Sequence, residues 1–166
     1  MGRHSERTRD EWRTLGGGNI NKALHSSKDT NWCTPQKFFD ELNEEFHFTL
    51  DVAANEKSAK CEKYYSPEDD GLSAPWLGVV FCSPPYGREI GKWVKKAHDE
   101  WQEHNTTVVM LIPSRTDTKY FHEYILGKAE IRFIKGRLKF TDEDGVEADA
   151  APFPSMVAIF RGGRII

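Results

Sequence analysis

Residues 79–87 read Val79-Val80-Phe81-Cys82-Ser83-Pro84-Pro85-Tyr86-Gly87. The first four are apolar, with β-branched and aromatic members, which is the pattern of a short buried strand. The prolines must end it, because they donate no backbone hydrogen bond. Ser83 is biased to an extended backbone by the proline after it. Two fixed φ angles then hold the Ser83 and Pro84 carbonyls in a rigid bend, with an aromatic face two residues on. Such a bend can grip a flat, amine-bearing group. One carbonyl and one side-chain oxygen accept two N–H bonds while the tyrosine stacks on the ring. An ordinary strand ending in a Pro-Pro turn would carry the same residues, so the rest of the chain has to choose.

Working outward, Thr34-Pro35 reads as an N-cap followed by proline at the first helical position. Phe38, Phe39, Leu42 and Phe46 then recur at helical spacing over residues 35–46. Phe48 to Val52 reads as a strand that gives out at Ala53-Ala54-Asn55. Residues 55–78 are irregular, with a short strand pattern at 62–65 and a turn at Asp69-Asp70-Gly71. After the Pro-Pro bend a helix is expected over 88–103, with Ile90, Trp93, Val94, Ala97 and Trp101 inward. Val108 to Ile112 is a second continuous apolar strand, ended by Pro113. A further helix is expected over 117–126, then strands from Glu130 to Ile134 and from Ser155 to Phe160.

Strands alternating with helices, two of them continuously apolar, imply an α/β fold with a largely parallel sheet covered on both faces. The last two strands are expected as an antiparallel hairpin at its edge. Ligands of such sheets bind outside the carboxyl ends of the strands. The polar residues just after each strand are therefore the candidates: Asp51, Ser83 and Ser114-Arg115. The Pro-Pro bend falls among them without having been used to choose the place.

A chain of 166 residues with 38% hydrophobic and 12% aromatic content forms one ordinary globular domain. It is read as a single domain over 32–166, preceded by a mobile polar arm over 1–31 that contains Gly16-Gly17-Gly18. No apolar run reaches the roughly 18 residues of a membrane span, and the N-terminus has no signal-peptide core. Cys33, Cys61 and Cys82 show no paired spacing, which supports neither a disulfide framework nor a zinc site and fits a reducing cytoplasm. No histidine pair has a short metal-ligand spacing, so no metal is expected.

The net charge of −3 conceals segregation. Lys92, Lys95 and Lys96 follow the bend, and Lys128, Arg132, Lys135, Arg137 and Lys139 cluster later. Asp142, Glu143, Asp144, Glu147 and Asp149 crowd one loop. A basic face opposite an acidic patch would allow nucleic-acid binding at near-neutral overall charge.

Ser83-Pro84-Pro85-Tyr86 resembles the catalytic Asp/Asn/Ser-Pro-Pro-Tyr/Phe motif of amino methyltransferases that use S-adenosylmethionine. From about Trp32 to Phe160 the chain further resembles the phage and prophage DNA N-6-adenine methyltransferases, the phage Dam-like family. The resemblance runs in order through Trp32-x-Thr34-Pro35, Phe46-x-Phe48-x-Leu50-Asp51-x-Ala53-Ala54 and Asp69-Asp70-Gly71-Leu72. It continues through Trp76, the Pro-Pro motif, Leu111-Ile112-Pro113-x-Arg115-Thr116-Asp117-Thr118 and Gly136-Arg137-Leu138-x-Phe140. The chain departs from the pattern at Ser83, where the family commonly carries Asn or Asp. Serine there is frequent among N-4-cytosine methyltransferases, so cytosine is the alternative acceptor. A DNA-binding relative with weak catalysis is another. No Phe-x-Gly-x-Gly loop follows the first strand, so alanines and the Trp32–Pro35 segment must shape the cofactor pocket.

The resemblance implies a Rossmann-like fold, S-adenosylmethionine as methyl donor, and adenine in DNA as acceptor, flipped from a duplex. It implies a phage or prophage enzyme acting in the bacterial cytoplasm. Ser83, Pro84, Pro85 and Tyr86 are then catalytic. Trp32, Thr34, Pro35, Asp51, Ala53, Ala54 and Asp70 are cofactor-binding, with Thr34 meeting the methionine carboxylate at a helix N-terminus. Arg115 and Arg137 are expected phosphate contacts.

Overall fold

Residues 108–112 and 155–160 are apolar without a break, apart from Ser155, and both runs are buried on both sides. The computed structural model of the protein describes residues 32–164; the arm expected over 1–31 lies outside them. Five strands make one mixed sheet: β1 (Leu50–Asp51), β2 (Val79–Cys82), β3 (Thr107–Pro113), β4 (Glu130–Phe133) and β5 (Ser155–Phe160). Their order is β1-β2-β3-β5-β4. The pairs β1–β2 and β2–β3 are parallel, and β5 is antiparallel to both β3 and β4. The late strands are thus an antiparallel pair at the sheet edge as expected, but the antiparallel member is interior. Its sequence, apolar after Ser155 and buried throughout, suits that place, whereas β4, with Glu130 and Arg132, takes the edge.

The two-residue alternation of the strands separates two cores. Phe81, Val109, Leu111, Val157 and Ile159 meet Phe39, Leu42 and Phe46 of α1 (Gln36–Phe46). Val80, Cys82, Val108, Met110, Met156 and Ala158 meet Ile90, Trp93, Val94 and Ala97 of α2 (Ile90–His104). Helices therefore cover the sheet on both faces, and each fully buried large side chain adds about 1.5–3 kcal/mol relative to exposure. Each helix ends where a residue adopts left-handed backbone: His47 at φ 54° after α1 and Asn105 at φ 57° after α2.

Several expectations are corrected. Pro35, not Thr34, is the cap of α1; its carbonyl accepts from the Phe39 N–H at 3.0 Å, and Thr34 is buried instead. The helix expected over 117–126 narrows to a π-helical turn, Phe121–Ile125, closed by the Leu126 N–H on the Phe121 carbonyl at 2.8 Å. Phe121 and Ile125, four residues apart, both reach the core. Trp101 is only half-buried, with its indole N–H on the Arg161 carbonyl at 2.8 Å, while the neighbouring Glu100 is buried between Lys96 and His104.

The first strand is shorter than the expected 48–52, but its pairing with β2 is prolonged by bonds from Thr49 N–H to Val79 O and Val52 N–H to Phe81 O. Gly78 holds φ 83°, and a Cβ there would lie 2.3 Å from Thr49 Oγ1, so glycine permits this contact at the strand start.

Candidate active site at the carboxyl edge of the sheet

β1 and β2 are parallel and in register, with Asp51 opposite Phe81. Both strands end at the same edge of the sheet. Ser83, two residues beyond Phe81, opens onto the same recess as Asp51. The recess is lined by Trp32, Cys33, Thr34, Asp51, Ala53, Ser58, Lys60, Phe81 and Ser83. The cofactor candidates Trp32, Thr34, Asp51 and Ala53 therefore come together with the catalytic candidate Ser83.

Asp51 is 3% exposed. Its Oδ1 accepts from the Ala53 N–H at 3.3 Å and its Oδ2 from the Lys60 N–H at 3.0 Å. Burial pushes its pKa up to about 6, against the pull of those two N–H groups and the Lys60 charge. No side-chain cation hydrogen-bonds to it among the described residues, so a charged ligand group is its natural complement. Burial also raises the Cys33, Cys61 and Cys82 thiols, which keeps them neutral beside Asp51.

The other candidates do not line this recess. Ala54 is buried and spends its N–H on the Tyr65 carbonyl. Asp70 is exposed, at φ 52°, with its carboxylate accepting from Ser73 Oγ at 2.7 Å. Its turn is nevertheless pressed against the end of β1: a Cβ on Gly71 would lie 2.4 Å from the Val52 carbonyl oxygen. The Gly71 carbonyl also accepts from the buried Trp76 indole N–H at 2.7 Å, which fastens the turn in place.

Pro84 is buried and Pro85 exposed. The Tyr86 ring is half-buried and stands edge-on to Phe140 at 5.6 Å and to Phe153 at 5.4 Å. Its hydroxyl is buried without a bonded partner among the described residues. Burial raises the phenol's pKa while the neighbouring Ser83 side chain works the other way. Phe140 and Phe153 come from the long connection between β4 and β5, so this aromatic support could not be read from local spacing.

The acidic loop also returns to the site. Cys33 and Thr141 exchange two backbone hydrogen bonds at 2.8 and 3.1 Å, and Glu143 accepts from Asn55 Nδ2 at 2.7 Å. The loop thereby braces two walls of the recess. Lys60 and Ser58 were missed by sequence reasoning, since an irregular segment has no periodicity from which to infer their direction.

The expected basic face is largely neutralised. Lys92 pairs with Glu89, Lys95 with Asp99 and Lys96 with Glu100, all along α2. Arg132 is bidentate to Glu45 at 2.6 and 2.8 Å, and Lys139 pairs with Glu147. Among the described residues, the cations without a carboxylate partner include Arg88, Arg115, Lys135 and Arg137. All four are exposed and follow the ends of β2, β3 or β4; the Arg137 guanidinium donates to the Ala151 carbonyl at 3.4 Å.

A buried acid thus ends the first strand, beside a Ser-Pro-Pro-Tyr bend that ends its parallel neighbour. The family described as DNA N-6-adenine-methyltransferase (Dam) matches residues 21–164. The chain is 34% identical over 140 residues to the DNA N-6-adenine-methyltransferase of Haemophilus phage HP1, covering 81% of this chain and 80% of that one. It is 38% identical over 120 residues to the enzyme of the same name from Escherichia phage T1, covering 70% of this chain and 49% of that protein. The chain belongs to the DNA N-6-adenine-methyltransferase (Dam) family.

Proposed function

We propose that this protein transfers a methyl group from S-adenosylmethionine to the N6 amino group of adenine in DNA. The observation that carries the reading is the shared recess of Asp51 and Ser83. A buried carboxylate that would accept from the cofactor shares this recess with the residue that would hold the target amine. The fit is chemical: a carboxylate buried without a bonded cation suits a ligand that brings its own positive charge.

When bound, S-adenosylmethionine supplies an electrophilic methyl group. The chain supplies position. Ser83 Oγ and the Pro84 carbonyl accept the two N6–H bonds, which favours a more pyramidal nitrogen and frees its lone pair from the ring. The nitrogen lone pair would form the N–C bond as the sulfonium's S–CH3 bond breaks, that bonding pair staying on sulfur to leave S-adenosylhomocysteine, and the nitrogen would then lose one of its two protons to water. Tyr86, held edge-on by Phe140 and Phe153, offers its face to the adenine.

A base held by Ser83 and stacked on Tyr86 would have to leave a duplex, so flipping is part of the proposal. The exposed, unpaired Arg115, together with Arg137, would contact phosphates. Trp32, Thr34, Pro35 and Ala53 would enclose the cofactor, Ala54 would back the strand end, and Asp70 would read the far end of the cofactor from its fastened turn.

The sheet order supports a Rossmann-like fold reduced on the β1 side, where no further strand pairs among the described residues. Residues 32–166 would form the catalytic domain, with 1–31 as an appended arm. No helix among the described residues is long and apolar enough to cross a membrane. The phage relatives support action on DNA in a bacterial cytoplasm.

Mass spectrometry of nucleosides from DNA methylated by the purified protein tests the reading. N6-methyladenine is expected. N4-methylcytosine without methyladenine would overturn the acceptor, and no methylated base at all would overturn the activity.

A further inference from the structure

The recess beside β1 is lined by one residue that carries a negative charge and one that carries a positive charge, Asp51 and Lys60; its remaining lining is neutral. We infer that Lys60 binds the α-carboxylate of the cofactor's amino-acid end, while Asp51 takes the α-ammonium of the same group. The inference rests on the proposed methyltransferase reading and adds to it a residue and a division of charge.

Three observations carry it. The first is that the two residues are fixed to each other through the backbone: the Lys60 N–H donates to Asp51 Oδ2 at 3.0 Å. That contact leaves the side chain free for another task. The second is that the ammonium does not close onto Asp51. Its bonded partner is the neutral Gln36 Oε1 at 3.0 Å, an exposed contact that a stronger acceptor can displace. The third is that the Lys60 charge is nonetheless felt at Asp51, whose pKa it lowers against burial, so the two charges are neighbours without being paired.

A purely structural lysine would form its ion pair with the buried carboxylate directly. Instead one recess presents separated opposite charges. An α-amino acid carries its ammonium and carboxylate on a single carbon, and so offers the matching pair. Thr34 and Ser58 add hydroxyl-bearing side chains to the same lining, so a carboxylate here has donors besides Lys60. Glu143 and Asp142 also act on the Cys33 thiol of the recess, but neither lines it, and Glu143 is paired with Lys57 at 3.9 Å.

Calorimetry on the full chain with two probes separates this role from a structural one. S-adenosylhomocysteine carries the amino-acid end; 5′-methylthioadenosine keeps the adenine, ribose and sulfur but lacks it. The titrations are run at pH 8.5, well above the pKa of about 6 at Asp51, so that the acid is ionised in every variant. Lys60→Met retains the apolar stem and the backbone N–H. It is expected to weaken S-adenosylhomocysteine roughly tenfold to hundredfold, as befits one charged hydrogen bond, and to leave methylthioadenosine within about twofold. Lys60→Arg is expected to recover most of the loss. A parallel fall for both probes, or an unchanged S-adenosylhomocysteine affinity, would overturn the assignment while leaving the methyltransferase reading standing. A wild-type protein that binds neither probe would overturn both.

Discussion

Lowering the pH from 7.5 to 5.0 is expected to weaken binding of S-adenosylhomocysteine about tenfold, through the single carboxylate of Asp51. The free protein holds this group 3% exposed, and burial raises its pKa from 3.8 to about 6. A ligand ammonium pairs only with the ionised acid, so the apparent dissociation constant scales as one plus the ratio of protonated to ionised Asp51. With a pKa of about 6 that factor is close to 1 at pH 7.5 and about 11 at pH 5.0. The sign for stability is opposite. Because the folded pKa is raised, Asp51 favours the folded state below its ordinary value. That contribution, about 3 kcal/mol for a two-unit shift, is lost as the pH rises through 6. The ligand-free protein thus bears the strain of a buried charge at neutral pH, and ligand binding relieves it. Calorimetry across this range in two buffers of different ionisation enthalpy reads both affinity and protons released. Release should approach one proton per ligand at pH 5.0 and vanish at pH 7.5. Asp51→Asn should bind weakly at all these pH values and without the slope. A flat profile in a protein still folded at pH 5.0 would refute the reasoning; a slope that survives Asp51→Asn would assign the proton to another group.

Ser83→Ala should methylate far more slowly with cofactor affinity little changed, because the Pro84 carbonyl alone would hold the target amine; single-turnover assays check this, and full activity would remove Ser83 from the mechanism. Tyr86→Phe should keep both activity and stability, since the lost hydroxyl is buried without a hydrogen-bond partner among the described residues. Tyr86→Ala should weaken DNA binding and lower stability by about 3–5 kcal/mol, as it empties a site between two aromatic rings; a phenylalanine variant as inactive as the alanine one would contradict a role for the ring face. Gly71→Ala should destabilise the fold by about 1–3 kcal/mol, because its Cβ would stand 2.4 Å from the Val52 carbonyl oxygen; denaturant unfolding with an unchanged midpoint would show that the turn can move.

What the sequence determined by itself is the part of this protein written in local patterns. Unbroken apolar runs announced β2, β3 and β5, because a strand covered on both faces has no polar position to alternate with. Phenylalanines at helical spacing announced α1, and the prolines after Cys82 had to end β2 wherever it was placed. The rule that ligands sit beyond the carboxyl ends of parallel strands then joined Asp51 to Ser83 without any knowledge of distance.

Tertiary structure alone decided what depends on partners remote in the chain. Thr34 has the look of a helix cap, but the helix begins one residue later and leaves Thr34 buried on the recess wall. The lysine and arginine clusters look like a basic face, yet carboxylates one helical turn away or across the fold cancel most of them. β5 could have been an outer hairpin strand; the wholly buried run from Ser155 to Phe160 draws it inward beside β3. Lys60 and the phenylalanines behind Tyr86 lie on irregular connections, where side-chain direction follows from long-range contacts and no local periodicity encodes it.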